Sequence, residues 1–357
     1  MPRWRCYQPS DEKEETTKKI TKTGLDLEKT VFNVVCCNQQ GKVIRKRQLR
    51  RHQVLTFFAH IEPCLIGMEA CASSHYWARE LQALGHNVKL IPPQFVKPYV
   101  RGNKNDYNDA LAIAEAVVRP EMHFAEIKNA QQQDIQALHR LRERCVASRT
   151  ALGNQVRGLL GEYGITVPRG MQVLHKAIPS LLEDENNGLS GLFRQLLSQS
   201  YHQLVQLAEH IDIYTNILQR HSQQDERCQR LQTIPGYGPV VASVFAAMVG
   251  NGSAYRRGRD VSAAIGLVPR QHTSGGKPTL LGISKRGDRY LRALLVHGAR
   301  SVVSRAQQKE DPLSRWIQRV EARRGRNKAV VAYANKMARM GWAVLHSGRV
   351  FHLPAVN

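Results

Sequence analysis

Between Thr23 and Pro93 short apolar runs alternate with turns and helical patterns, an order that admits little besides an α/β domain. G-L-D-L-E-K-T and V-F-N-V-V-C-C-N predict two strands, or one long bent strand, rich in β-branched residues. Q-Q-G-K is a turn, and K-V-I-R-K-R-Q-L reads as the next strand. After the helical stretch V-L-T-F-F-A-H, C-L-I-G-M-E-A predicts a buried strand ending at Glu69. A helix through Tyr76, Trp77, Leu81 and Leu84 follows, with Gly85 as its C-cap. H-N-V-K-L-I-P-P is another buried strand, stopped by a proline pair, and a helix is predicted from Asp106 to about Val118. Hairpin strands followed by strand–helix–strand–helix make a mixed sheet, over residues 21–125. Residues 1–20 are polar and predict a disordered leader.

Within that domain K-N-D-Y-N-D-A places Asp106 and Asp109 on one face of the first turn of a helix. An acidic first turn also suits the helix macrodipole. The other carboxylates change the balance: Asp26 lies on the first strand and Glu69 ends a later one. Four carboxylates at one sheet edge repel unless a cation lies among them, and a two-metal phosphodiester site needs such a set. The chain has 52 Lys plus Arg against 29 Asp plus Glu, a formal charge of +23. A polyanion is therefore the expected partner, nucleic acid ahead of an anionic membrane. No run approaches a membrane span and no targeting segment opens the chain, so a cytoplasmic protein associated with the nucleoid is expected. The seven cysteines form no C-x-x-C pair and read as structural.

Residues 126–224 read as a helical arm. Ile135, Leu138, Leu141, Leu152, Val156 and Leu159 recur at helical spacing, and so do Leu197, Leu204, Leu207, Ile211 and Leu218. Such helices form an antiparallel hairpin or a dimer interface. From 225 to 350 a mainly helical domain is expected. Q-T-I-P-G-Y-G-P-V-V-A has the layout of a helix-hairpin-helix, in which Gly236 and Gly238 let the backbone turn and the next helix opens toward a phosphate. Beyond it Arg270, Lys277, Lys285, Arg286, Arg289 and Arg292 surround Thr273 and Ser274, which are expected on a flexible glycine-flanked loop. A hydroxyl among cations can be a nucleophile; a serine before two glycines is equally a turn residue. E-A-R-R-G-R-N-K adds a later basic patch.

Taken together the chain resembles the DEDD insertion-sequence transposases, bacterial recombinases that join an RNase H/RuvC-like nuclease domain to a C-terminal serine-bearing transposase domain. The resemblance covers roughly residues 22–350. It rests on the order and separation of G-L-D, G-M-E-A, K-N-D-Y-N-D-A, I-P-G-Y-G-P, G-L-V-P-R-Q-H-T-S-G-G-K and L-G-I-S-K-R-G-D-R-Y-L-R. It implies that Asp26, Glu69, Asp106 and Asp109 bind divalent metal, two ions of Mg2+ or Mn2+. It places the essential serine in T-S-G-G, at Ser274, with Thr273 as the alternative. It also implies a covalent phosphoserine intermediate, double-stranded target and donor DNA, a structured guide RNA and a homo-oligomer. Two readings compete: a metal-dependent hydrolytic nuclease or junction resolvase using the four acids alone, and a non-catalytic nucleic-acid-binding protein.

Overall fold

The computed structural model describes residues 19–101 and 105–353, apart from the side chain of Lys277. The chain divides into two compact units, Met1–Ala130 and Gln131–Asn357. Most of the polar leader, residues 1–18, lies outside the described residues. Its last residue, Ile20, packs against the first unit's core, so the folded chain begins before residue 21.

The first unit is built on five strands: β1 (Lys22–Leu27), β2 (Val31–Cys37), β3 (Val43–Arg50), β4 (Leu65–Glu69) and β5 (Asn87–Ile91). Their order is β3-β2-β1-β4-β5. The first three pair antiparallel, whereas β4 joins β1 and β5 in parallel. This is the mixed sheet expected above. One face is covered by α1 (Val54–Ala59) and α2 (Ser74–Ala83), whose Phe58, Trp77 and Leu81 meet Leu25, Phe32, Ile66, Met68 and Leu90. After a short α3 (Pro93–Val96), α4 (Asp106–Ala116) covers the other face. Burial on both faces explains why β2, β4 and β5 read as nearly unbroken apolar runs, whereas the edge strand β3 is largely exposed and charged.

Gly24 and Gly67 are opposite one another on β1 and β4, and they let α4 lie flat on the sheet. A Cβ on Gly24 would collide with the Ala110 carbonyl oxygen and stand 2.7 Å from the Ala114 nitrogen. A Cβ on Gly67 would stand 2.9 Å from the Val117 Cβ. The obstacles at Gly24 are backbone atoms, which no rotamer change can move. Gly24→Ala is therefore expected to destabilise the first unit by about 3 kcal/mol, the upper end of ordinary overpacking costs. Thermal unfolding checks this, and an unchanged melting temperature would show that α4 is not seated there.

The second unit opens with α5 (Ala130–Gly161), α6 (Met171–Glu183) and α7 (Gly191–Gln224). Val156 and Leu160 share a core with Phe193, Leu197 and Leu204, while Arg142 Nε donates to Thr215 Oγ1 at 2.9 Å. Early α5 thus meets late α7, and the long helices run antiparallel. Leu141, Leu159, Leu192, Leu196, Ile213 and Ile217 remain exposed along them. The rest comprises α8 (Glu226–Gln232), α9 (Pro239–Val249), α10 (Gly258–Ala264), a two-stranded hairpin of β6 (Pro269–Ser274) and β7 (Lys277–Ile283), then α11 (Arg289–Ala306), α12 (Pro312–Arg324) and α13 (Arg326–Ser347). One core around Phe245, Leu295, Tyr333 and Met337 joins them.

The hairpin departs from expectation. T-S-G-G is not a flexible loop: Thr273 and Ser274 end β6, Ser274 is paired with Lys277, and Gly275–Gly276 make the two-residue turn. Both glycines have positive φ, 58° and 76°, as the tight hairpin turn that suits strand twist requires. The segment is polar and poor in alternation, which is why it reads as a loop.

Candidate active site

The four acids enter the same face by elementary strand parity. Gly24 lies under α4, and Asp26, two residues on, projects from β1 toward the same side. Gly67 and Glu69 repeat this on β4. The parallel register pairs Leu25 with Met68, so Asp26 and Glu69 occupy the next rank. Asn105 is the N-cap of α4, its side chain accepting from the Tyr107 N–H at 3.0 Å, which leaves the following aspartates free of capping. Asp106 is exposed; Asp109, Asp26 and Glu69 are half-buried.

Electrostatics tie the four together. The Asp26 carboxyl is pushed up to about 6, by burial first and then by Asp109, Glu28, Glu69 and Asp106. Glu69 is also raised, by burial and by Asp109. Asp109 is thus the charge felt by both strand carboxylates. None of the four forms an ion pair among the described residues. Nor do any three bring ligand oxygens within 4.8 Å of one another. Like charges crowd this edge, and among the described residues no side chain pairs with them. Hard oxygen donors in that state fit divalent Mg2+ or Mn2+.

The tightest cluster of metal-type donors among the described residues is elsewhere, at His221, Asp225 and Cys228. Its groups are already committed. Asp225 caps α8, accepting from the Arg227 and Cys228 N–H groups, and pairs with the Arg227 guanidinium at 2.6 Å. Burial pushes the Cys228 thiol up to about 12, so it stays protonated.

Sequence reasoning missed Asn33. It is directly across β2 from Asp26, is 1% exposed, and neither its Nδ2 nor its Oδ1 has a hydrogen-bond partner. A single polar residue in V-F-N-V-V-C-C gives no sign of this.

In the second unit Ser274 and Thr273 are exposed at the hairpin tip. The Thr273 hydroxyl accepts from Gln271 Nε2 at 2.9 Å, whereas the Ser274 hydroxyl has no hydrogen-bond partner among the described residues. Arg270, Lys285, Arg286 and Arg289 are exposed; the Lys277 side chain lies outside the described residues. Two expected phosphate contacts have other tasks. Arg292 Nη1 donates to the Ile265 and Arg286 carbonyls at 2.9 and 2.8 Å. Gly236, with φ 93°, lets its turn approach α11, where an added Cβ would stand 3.0 Å from the Gly298 carbonyl oxygen. The Tyr237 side chain between the two glycines is buried, its hydroxyl donating to the Met337 carbonyl. Gly238 is exposed as the N-cap of α9.

The second unit also carries a groove of about 1330 Å³ beside the hairpin, lined by Arg257, Arg259, Lys328, Lys336 and Arg339, with Trp316, and, among the described residues, by no carboxylate. Lys336 stands over the Trp316 ring, 4.5 Å from its centroid, and burial together with Arg339 lowers its pKa. Of the late basic patch only Asn327 and Lys328 reach this groove. No helix among the described residues is long and apolar enough to cross a membrane.

Comparison with known proteins identifies the family. Residues 23–165 match the DEDD transposase profile of the IS110 type, an RNase H-like domain, and residues 228–313 match the profile "Transposase IS116/IS110/IS902 family". A "Probable family 20 transposase" of Pseudomonas aeruginosa is 48% identical over 91% of this chain and 97% of its own length. The "Transposase for insertion sequence element IS1111A" of Coxiella burnetii is 44% identical over 92% of this chain and 90% of its own length. The corresponding protein of element IS1328 from Yersinia enterocolitica is 42% identical, over 93% and 98%. With relatives of this similarity spanning nearly all of both chains, the protein belongs to the IS116/IS110/IS902 family of insertion-sequence transposases, enzymes that cleave and rejoin DNA.

Proposed function

We propose that this transposase cuts and rejoins DNA through a covalent phosphoserine at Ser274, with divalent metal held by Asp26, Glu69, Asp106 and Asp109. The observation that carries the reading is the shared face of the four acids, where like charges push on one another and no ion pair among the described residues offsets them. When bound there, a pair of Mg2+ or Mn2+ ions supplies Lewis-acid stabilisation of charge on the scissile phosphate and the leaving oxygen.

Ser274 Oγ attacks the phosphorus as the bond from phosphorus to the 3′ oxygen breaks, the serine proton is passed by way of solvent to that leaving oxygen, and a DNA strand with a free 3′-hydroxyl departs. Rejoining reverses the chemistry: a 3′-hydroxyl attacks the phosphoserine, and the bond from phosphorus to Oγ breaks. Arg270, Lys285, Arg286 and Arg289 offset charge near the nucleophile. Lys277 joins them as a sequence neighbour. The acid-free groove takes up the sugar-phosphate backbone of DNA or of a structured guide RNA, with Gly238 at the edge of α9 as a further contact. The exposed leucines and isoleucines of α5 and α7 are the surface for self-assembly.

The test uses the protein purified with and without RNA transcribed from its own element, incubated with labelled target and donor DNA. Site-specific cleavage is expected with Mg2+, to stop on chelation, and to return when metal is restored. Ribonuclease treatment beforehand is expected to remove site specificity. Cleavage that persists in chelator would overturn the metal assignment; specific cleavage by RNA-free protein would overturn the guide.

A further inference from the structure

We propose that Asn33 is a positioning residue for the carboxylate site: its side-chain amide orients Asp26 toward divalent metal. The inference rests on the metal reading of the four acids and adds a residue that none of the motifs contains.

The amide is costly where it stands. Asn33 is 1% exposed, and neither of its polar side-chain atoms finds a partner. A buried amide left unpaired carries its full desolvation penalty, and such groups are rare enough in folded proteins to call for a reason. Its neighbours on β2, Phe32, Val34 and Val35, are fully buried and apolar. An apolar residue would serve packing better at this point.

The position supplies the reason. Asn33 and Asp26 are directly opposed on antiparallel strands, so their side chains leave the sheet on one face with Cβ atoms about 5 Å apart. That face is the one α4 covers, because Val35, two residues beyond Asn33, packs with Ala110 and Ala114. Asp109 on the same helix acts on Asp26. Asn33 therefore flanks Asp26 on the side away from Glu69.

Its chemistry suits that place. The amide offers two N–H donors to a carboxylate and keeps a carbonyl that can accept from water. A carboxylate held at one oxygen by a donor presents the other in a defined direction. The donor is also neutral. A lysine or arginine in its place would neutralise Asp26 and compete with a metal ion for it, whereas an amide orients without taking over the charge. Groups that orient metal-binding side chains in this way are typically worth 10–100-fold in metal affinity.

Mn2+ binding by the full-length protein, read from the electron paramagnetic resonance signal of free Mn2+, tests this without any DNA reaction. Wild type, Asn33→Leu, Asn33→Ser and Asp109→Asn are compared, each with its melting temperature in metal-free buffer. Asn33→Leu keeps the branching and the number of side-chain heavy atoms and removes the unpaired polar group. It is expected to melt no lower than wild type while binding Mn2+ about 10–100-fold more weakly. Asn33→Ser retains a donor and is expected to fall between. A merely structural asparagine would not combine undiminished stability with weakened metal binding. Wild-type affinity in a folded Asn33→Leu protein would overturn the role of Asn33 while leaving the metal site standing. Should Asn33→Leu fail to fold, wild-type affinity in Asn33→Ser has the same consequence. Failure of wild type to bind Mn2+, or undiminished binding in Asp109→Asn, would instead remove the metal reading and the proposal with it.

Discussion

Asp109→Asn is expected to lower strand cleavage by about 10³-fold or more while leaving DNA binding close to wild type. Asp109 is the choice because its charge reaches both strand carboxylates, Asp26 and Glu69. It is half-buried one turn into α4, with Ala110 beside it seated against the sheet. An amide of the same shape keeps α4 in place and removes one anionic oxygen donor. The same change should leave the metal-free protein at least as stable, because like charges at close range work against the fold. The stability gain should shrink as salt is added, since these groups are partly open to solvent. Activity and stability thus move in opposite directions, a sign that a merely structural aspartate would not give. Cleavage within about tenfold of wild type, a loss of no more than about 1.4 kcal/mol, would be incompatible with a metal ligand here.

Much of this site is legible in the sequence because strand parity and helix periodicity are simple. Asp26 follows Gly24 by two residues, Glu69 follows Gly67 by two, and Asp106 and Asp109 share one helical face. What remained hidden has physical causes. In a strand buried on both faces an inward asparagine looks like any polar interruption, so Asn33 carried no signal. The hairpin at 269–283 lacks an alternating apolar pattern because it stands out from the core, with residues of β6 exposed throughout. Gly236 and Arg292 suit a phosphate contact by residue type, yet close packing against Gly298 and two open carbonyls claim them. Residue type carries chemistry; only tertiary contact shows which chemistry is already spent. The groove cations, spread from Arg257 to Arg339, become a group only when α10 and α13 come together around it.

Ser274→Ala is expected to abolish the covalent protein–DNA adduct on a denaturing gel, together with strand rejoining, while Thr273→Ala retains both. Neighbouring strand residues point to opposite sides, so the two hydroxyls cannot stand in for one another. The Thr273 hydroxyl is engaged by Gln271, and the Ser274 hydroxyl has no partner among the described residues. Chain neighbours aside, no heavy atom of the described residues lies within 4 Å of where a Cβ on Gly275 or Gly276 would stand, so the tip beside Ser274 is open to a bulky phosphodiester. Removing an unbonded hydroxyl leaves the ladder between β6 and β7 intact, which makes loss of the adduct a chemical effect. An adduct lost in Thr273→Ala instead would move the nucleophile by one residue. Cleaved DNA without an adduct in wild type or either variant would mean that water attacks and that the enzyme is a hydrolytic nuclease. A serine hydroxyl this exposed is by itself a weak nucleophile. On the proposed mechanism its activation comes with the bound DNA and with metal held by the acids. The adduct should therefore appear only when DNA and divalent metal are both present, and Asp109→Asn should suppress it as fully as Ser274→Ala does.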